Sequence, residues 1–197
     1  MQMAASLSGA FRRVPPGAVY LAGLLPLAWI VWLGVQGGLG VDPVKEIEHR
    51  LGKIALWFLV GGLAMTPLRR FMGINLIRQR RAVGLLAFFY VALHLAAWLV
   101  LDMGLLWDQA IRDLFKRPYL TFGISAFVLM IPLALSSNDG AVRRLGGARW
   151  RRLHRLVYPA VILGGLHYLW QMKVISSEGW LWAAAIAILL LGRLRGG

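Results

Sequence analysis

The chain carries four histidines and no cysteine. His154 and His167 stand thirteen residues apart in WRRLHRLVYPAVILGGLHYLW, residues 150–170, a run that otherwise reads as a membrane helix. His94 closes the apolar run FFYVALH, and His49 lies in GVDPVKEIEHRLG. Burying a polar side chain without a partner costs roughly 2–7 kcal/mol. An ionisable residue inside a span is therefore a functional-site hypothesis by default. Without thiolates, iron–sulfur clusters, thioether-attached haem and Cys-ligated metals are excluded. A metal or cofactor must be held by His, carboxylate, Met or backbone.

The elements that position these histidines are membrane spans. Apolar residues make up 59% of the 197, with nine Trp, and mean hydropathy is +0.66. Soluble domains usually hold about 45–50% apolar residues. Six apolar runs, approximately 18–36, 51–67, 82–101, 119–136, 153–172 and 179–191, are long enough or nearly so to cross about 30 Å of hydrocarbon. The expected fold is an all-α six-transmembrane-helix bundle, a single domain over 1–197. The shorter second and sixth runs recruit flanking residues such as Lys53 and Arg193, whose long stems can snorkel. The first run is too long for a signal-peptide core and is read as an uncleaved helix.

Charge placement orients the chain. Arg12, Arg13, Arg69, Arg70, Arg78, Arg80, Arg81, Arg143, Arg144, Arg149, Arg151, Arg152, Arg155, Arg193 and Arg195 fall on one side, with Asp139 as its one acid. The other side holds Lys45, Arg50, Lys53, Arg112, Lys116, Arg117 and Lys173 against an equal number of acids. The positive-inside rule then places both termini in the cytoplasm. The net charge of +14 is read as orientation and contact with anionic lipid, with no nucleic-acid partner.

In this topology His94 and His167 each lie thirteen residues beyond a cytoplasmic helix start, about 20 Å deep. Two imidazoles at equal depth on different helices match the axial pair of a b-type haem. His154, about 20 Å below His167, suits a second haem iron, although thirteen steps on an ideal helix turn the two side chains roughly 140° apart. Pro159 and Gly164-Gly165 predict kinking or local unwinding there. Arg80, fourteen residues before His94, would meet haem propionates, a flavin phosphate or a quinone oxygen. Asp42-Pro43 reads as an N-cap followed by a first helical position, which puts His49 near the outer surface. The bland readings are interhelical hydrogen bonding for His94 and His167, an interfacial residue for His154 and a surface residue for His49. Gly61-Gly62 and Gly164-Gly165 offer close helix approach or room for a flat ring.

There is no P-loop, no G-x-G-x-x-G, no H-E-x-x-H and no acid inside a span. A proton- or ion-coupled transporter ordinarily needs buried carboxylates. No nicotinamide-binding segment is evident, so electrons are expected from quinol or a separate reductase.

GGLGVDPVKEIEHRLG (37–52), MTPLRRF (65–71), RRAVGLLAFFYVALHL (80–95), RPYLTFGI (117–124) and RRLHRLVYPAVILGGLHYLW (151–170) together resemble the MsrQ family. These are haem-binding membrane subunits of bacterial protein-methionine-sulfoxide reductase systems, within the ferric-reductase-like transmembrane superfamily. The resemblance covers essentially the whole chain. It implies six spans in the inner membrane, b-type haem (one or two) and FMN. It also implies electron transfer from the quinone pool to a periplasmic molybdopterin subunit, MsrP, which would do the catalytic reduction of methionine sulfoxide in envelope proteins. By position His94, His154 and His167 match the family's haem-associated histidines, and His49 its outer motif. The wider superfamily pairs histidines twice, and this chain departs from it with Arg80 at the fourth position. The alternatives are a transmembrane ferric or metal-ion reductase subunit, and a non-redox membrane protein using its histidines otherwise.

Overall fold

The computed structural model of the protein describes residues 2–194. Among them every regular element is helical. In chain order these are α1 (Gln2–Arg13), α2 (Pro16–Val35), α3 (Pro43–Met72), α4 (Arg80–Ala97), α5 (Trp107–Lys116), α6 (Pro118–Leu135), α7 (Asp139–Leu145), α8 (Gly147–Leu153), α9 (Val157–Trp170) and α10 (Ser177–Leu194). Short 3-10 turns occupy Ile77–Gln79 and His154–Leu156, and a π turn at Trp98–Asp102 extends α4.

Four of these stretches are long and apolar enough to cross a membrane: Pro16–Val35, Pro43–Met72, Ile77–Asp102 and Pro118–Leu135. They carry the first four expected runs. The second begins eight residues early because Asp42 caps α3, accepting from the Lys45 N–H at 3.2 Å, with Pro43 at the first helical position. With its 30 residues α3 rises about 45 Å, so it outruns the hydrocarbon at one or both ends. The fifth run is interrupted. Its 3-10 turn leaves α9 with 14 residues, a rise of about 21 Å. The break sits where Pro159 denies an N–H to the Arg155 carbonyl. Gly164-Gly165, by contrast, stays inside continuous α-helix, so the expected unwinding falls before Pro159 and not at the glycines.

The chain forms two compact units. The first comprises α1–α4 and the last residues of α10. Here α3 and α4 pack along their length around Leu51, Ala55, Leu86, Tyr90 and Ala97, with Ile30 of α2 against them. The second comprises α5–α9 and the body of α10. Its main pair is α6 with α9, and Ala126, Met130, Ala160 and Val161 are buried there.

Near prolines inside the spans, side chains from other helices bond to the backbone. Pro26 lies within α2. Beside it the fully buried Tyr90 accepts from the Leu27 N–H at 3.1 Å and donates to the Gly23 carbonyl at 2.7 Å. Its hydroxyl thus bridges the two ends of one i to i−4 step. Pro67 in α3 has no N–H for the Leu63 carbonyl, and Arg193 donates to that carbonyl at 2.7 Å and to Thr66 Oγ1 at 3.2 Å. An unpaired backbone group in lipid costs several kcal/mol, so both contacts matter beyond their number. Tyr90→Phe is expected to lower stability by about 1–3 kcal/mol, read as denaturant unfolding in mild detergent. Unchanged stability would mean that α2 closes the Leu27–Gly23 bond without the phenol.

Candidate functional site

His94 projects from the last turn of α4 and is partly buried. Its Nδ1 lies 2.9 Å from the Glu48 carbonyl oxygen on α3. A carbonyl only accepts, so Nδ1 carries the ring proton and the lone pair belongs to Nε2. One turn beyond Glu48 stands Gly52. A Cβ built there would lie 3.3 Å from both Nδ1 and Cε1 of His94.

The second unit repeats this construction. His167 projects from α9, and its Nδ1 donates to the Tyr119 carbonyl of α6 at 2.7 Å. One turn beyond Tyr119 stands Gly123, whose Cβ would meet His167 Nδ1 at 2.8 Å and Cε1 at 3.0 Å. The Tyr119 ring sits beside the imidazole, centroids 5.9 Å apart. In a helix the carbonyl of residue i already accepts from the N–H of i+4 but keeps a second lone pair. The side chain at i+4 leans back over that carbonyl. Glycine at i+4 uncovers it, and an imidazole from the next helix can reach it.

The register agrees further along each pair. Ala55 and Ala126 lie three residues after Gly52 and Gly123, at 4% and 6% exposure. Ala87 and Ala160 lie seven residues before His94 and His167, both at 0%. Small residues at matched steps let each pair of helices approach closely enough for the ring to reach the carbonyl.

His154 is built differently. It occupies the 3-10 turn between α8 and α9, and its Nε2 lies 3.0 Å from Ser136 Oγ. That hydroxyl donates its one proton to the Pro132 carbonyl at 2.6 Å, so the His154–Ser136 proton comes from Nε2. The lone pair therefore sits on Nδ1, the reverse of His94 and His167. Trp150 stacks on the ring, centroids 3.8 Å apart and planes 27° from parallel, and its indole N–H donates to the Ser136 carbonyl at 2.9 Å.

His49 is exposed on α3, and Arg80 is exposed as the first residue of α4. His49 is not drawn into the His94 arrangement by a contact the structure shows. The glycine pairs singled out for close approach serve helix packing instead. A Cβ at Gly165 would meet Ile186 of α10 at 2.8 Å, and one at Gly62 would meet Val83 at 3.6 Å. The glycines that make room for rings are Gly52 and Gly123. Their sequence signal is positional: each lies near the start of the apolar run that precedes the one carrying His94 or His167.

Among the described residues no cluster of three or more His, Cys, Asp or Glu could hold a metal ion. Closed protein sites for zinc and its like need three or four protein ligands. An iron already held by a porphyrin needs only one or two axial nitrogens. Two imidazoles whose Nδ1–H is held by a backbone carbonyl, each ring seated in a glycine cradle, fit that second requirement. Selective histidine ¹⁵N NMR of the ligand-free protein should show Nδ1–H tautomers for His94 and His167 and an Nε2–H tautomer for His154. An Nε2–H tautomer at either of the first two would contradict the carbonyl bonds.

Comparison with known proteins follows the same lines. Residues 51–165, more than half the chain, match the family described as the ferric reductase like transmembrane component. That segment includes Gly52, His94, Tyr119, Gly123 and His154 and stops two residues before His167. A protein of Brucella anthropi is 42% identical over 97% of this chain and 89% of its own length. One of Agrobacterium fabrum is 45% identical over 98% and 91%, and one of Rhizobium meliloti 46% over 89% and 81%. Each of the three is described as protein-methionine-sulfoxide reductase heme-binding subunit MsrQ.

Proposed function

The chain belongs to the ferric-reductase-like transmembrane family and within it to the MsrQ haem-binding subunits, and we propose that it passes electrons from membrane quinol to a periplasmic, MsrP-like molybdopterin methionine-sulfoxide reductase. In this reading it is a membrane haem electron-transfer subunit, and the partner carries out the catalytic step. The observation that carries it is the doubled arrangement at His94 and His167, where a backbone carbonyl holds Nδ1–H and leaves the lone pair on Nε2.

His94 and His167 are the residues that would hold the iron of a b-type haem, a pairing that rests on their equal depth in the sequence-based topology. The haem supplies reversible one-electron chemistry at iron. The protein's part is to hold each imidazole neutral and oriented. Donation from Nδ1 to a carbonyl makes the ring a more basic ligand through its other nitrogen.

His154 supports a second haem iron less well, because its Nε2–H is committed to Ser136. To ligate, it would release that bond or turn Nδ1 toward the metal. Trp150 stacked on His154 offers a flat aromatic surface where a quinol ring or FMN would find the arginines beside Trp150 for its polar groups; Arg80 is a candidate for such groups on the sequence-based topology alone. His49 belongs to the outer surface in this reading. The chain is placed as a single six-span domain in the bacterial inner membrane, both termini cytoplasmic, with its basic face on anionic lipid. α9 and α10 supply the fifth and sixth spans, the fifth completed by the helical turns of α8.

The test is a dithionite-reduced minus oxidised visible spectrum of the detergent-purified protein, with haem quantified per chain. Sharp b-type bands are expected at about one haem per chain, lost in His94→Ala and in His167→Ala and retained in His154→Ala. A colourless wild type, with haem supplied during expression, would sink the reading. Two haems per chain, one of them lost in His154→Ala, would make His154 a ligand.

A further inference from the structure

The two glycine cradles are not equal, and the difference has a consequence for the ligands they hold. We propose that Gly52 and Gly123 are positioning residues that set the planes of the His94 and His167 imidazoles, with Gly123 the tighter of the two. The inference rests on the assignment of those histidines as haem ligands.

A histidine ring turns about its Cβ–Cγ bond in a broad well, because that torsion joins sp³ to sp² carbon. One hydrogen bond at Nδ1 restrains the tilt but not the face that the ring shows its neighbour. The glycine supplies the second constraint, since the flat ring lies directly over the bare Cα. At Gly123 the virtual Cβ meets three ring atoms of His167, Nδ1 at 2.8 Å, Cε1 at 3.0 Å and Cγ at 3.2 Å. The same nitrogen is tied to the Tyr119 carbonyl at 2.7 Å. At Gly52 the distances to His94 are 3.3 Å, 3.3 Å and 3.8 Å, and the carbonyl bond is 2.9 Å.

A methyl group at position 123 therefore cannot be accommodated by bending a flexible tip, because its neighbours are atoms of one rigid ring. Either the ring rotates and loses the Tyr119 carbonyl, or α6 and α9 separate at Ala126 and Ala160, where they are packed without slack. Rotation is the smaller change. It alters the plane of the imidazole seen by the iron and removes Nδ1–H donation, which lowers ligand basicity. A less basic axial nitrogen stabilises ferric iron less, so the midpoint potential rises. At position 52 the same methyl asks the ring for a few tenths of an ångström, and the effect has the same sign and smaller size.

The comparison series comes from the same helices. A Cβ at Gly61 of α3 or at Gly84 of α4 meets nothing within 4 Å. Gly61→Ala and Gly84→Ala thus add a methyl to the helices of the first unit without touching an imidazole.

The experiment is low-spin ferric EPR with a potentiometric titration on the purified haem-loaded protein, for wild type, Gly123→Ala, Gly52→Ala, Gly61→Ala and Gly84→Ala. Gly123→Ala is expected to move the low-field EPR feature and raise the midpoint potential, Gly52→Ala to do both to a smaller extent, and the other two to match wild type. A Gly123→Ala protein whose spectrum and potential superimpose on wild type overturns the proposal. If Gly123→Ala does not accumulate, Gly52→Ala decides alone, and wild-type values there overturn it too. Shifts of equal size in Gly61→Ala would also overturn it, since they would report helix packing and not the ring. Failure of the ligand assignment reads differently: haem would then survive His94→Ala or His167→Ala.

Discussion

A neutral imidazole in hydrocarbon has one N–H and must give it to something. Left unmade, that bond costs roughly 2–7 kcal/mol, and inside a span the only acceptors in quantity are backbone carbonyls already used by the helix. The second lone pair of such a carbonyl is available, but it lies under the side chain one turn further on. Each histidine-bearing pair meets this constraint in the same way. Glu48 and Tyr119 lend the carbonyl, Gly52 and Gly123 remove the cover. Ala55 with Ala87, and Ala126 with Ala160, bring the helices within reach. The packing of α3 on α4 and of α6 on α9 is the form that this requirement takes.

The same accounting governs the polar side chains elsewhere in the spans. Arg193 is the clearest case, because a charged group reaches back to the carbonyl that Pro67 strands. Tyr90 does for α2 what a helical N–H would otherwise do beside Pro26. Ser136 takes up the Pro132 carbonyl and then serves as acceptor for His154. A proline in a soluble helix would turn its freed carbonyl to water. Here the one that Pro67 frees is answered from a side chain, and such contacts fix where one helix sits against the next.

Much of this was legible in the sequence. The first four apolar runs lie on helices long and apolar enough to cross a membrane, and Asp42-Pro43 marked the start of α3 correctly. The depth match of His94 and His167 singled out the two residues that the structure holds in equivalent settings. What escaped is relational. Gly52 reads as an ordinary glycine in RLGKI, and nothing in its neighbours says that an imidazole 42 positions later lies on it. Gly61-Gly62 and Gly164-Gly165 drew notice as doublets, yet a doublet reports flexibility, and rings are accommodated by single glycines at the right height. The likeness of the two pairs was hidden as well. Their side chains share little apart from Gly, Ala and His, because what repeats is a backbone carbonyl, which any residue supplies.

The tautomers sort the histidines by a criterion that spacing could not. His94 and His167 turn a lone pair toward whatever lies beyond Nε2, whereas His154 turns a proton toward Ser136 and a π-face toward Trp150. A ligand and a hydrogen-bond donor are opposite uses of one ring. The position matched to a fourth histidine holds Arg80, a cation that cannot ligate iron but can bind an anionic or carbonyl oxygen. His154, stacked on Trp150, thus offers a hydrogen-bond donor and a flat aromatic face, a different chemistry from that of the two carbonyl-bound imidazoles.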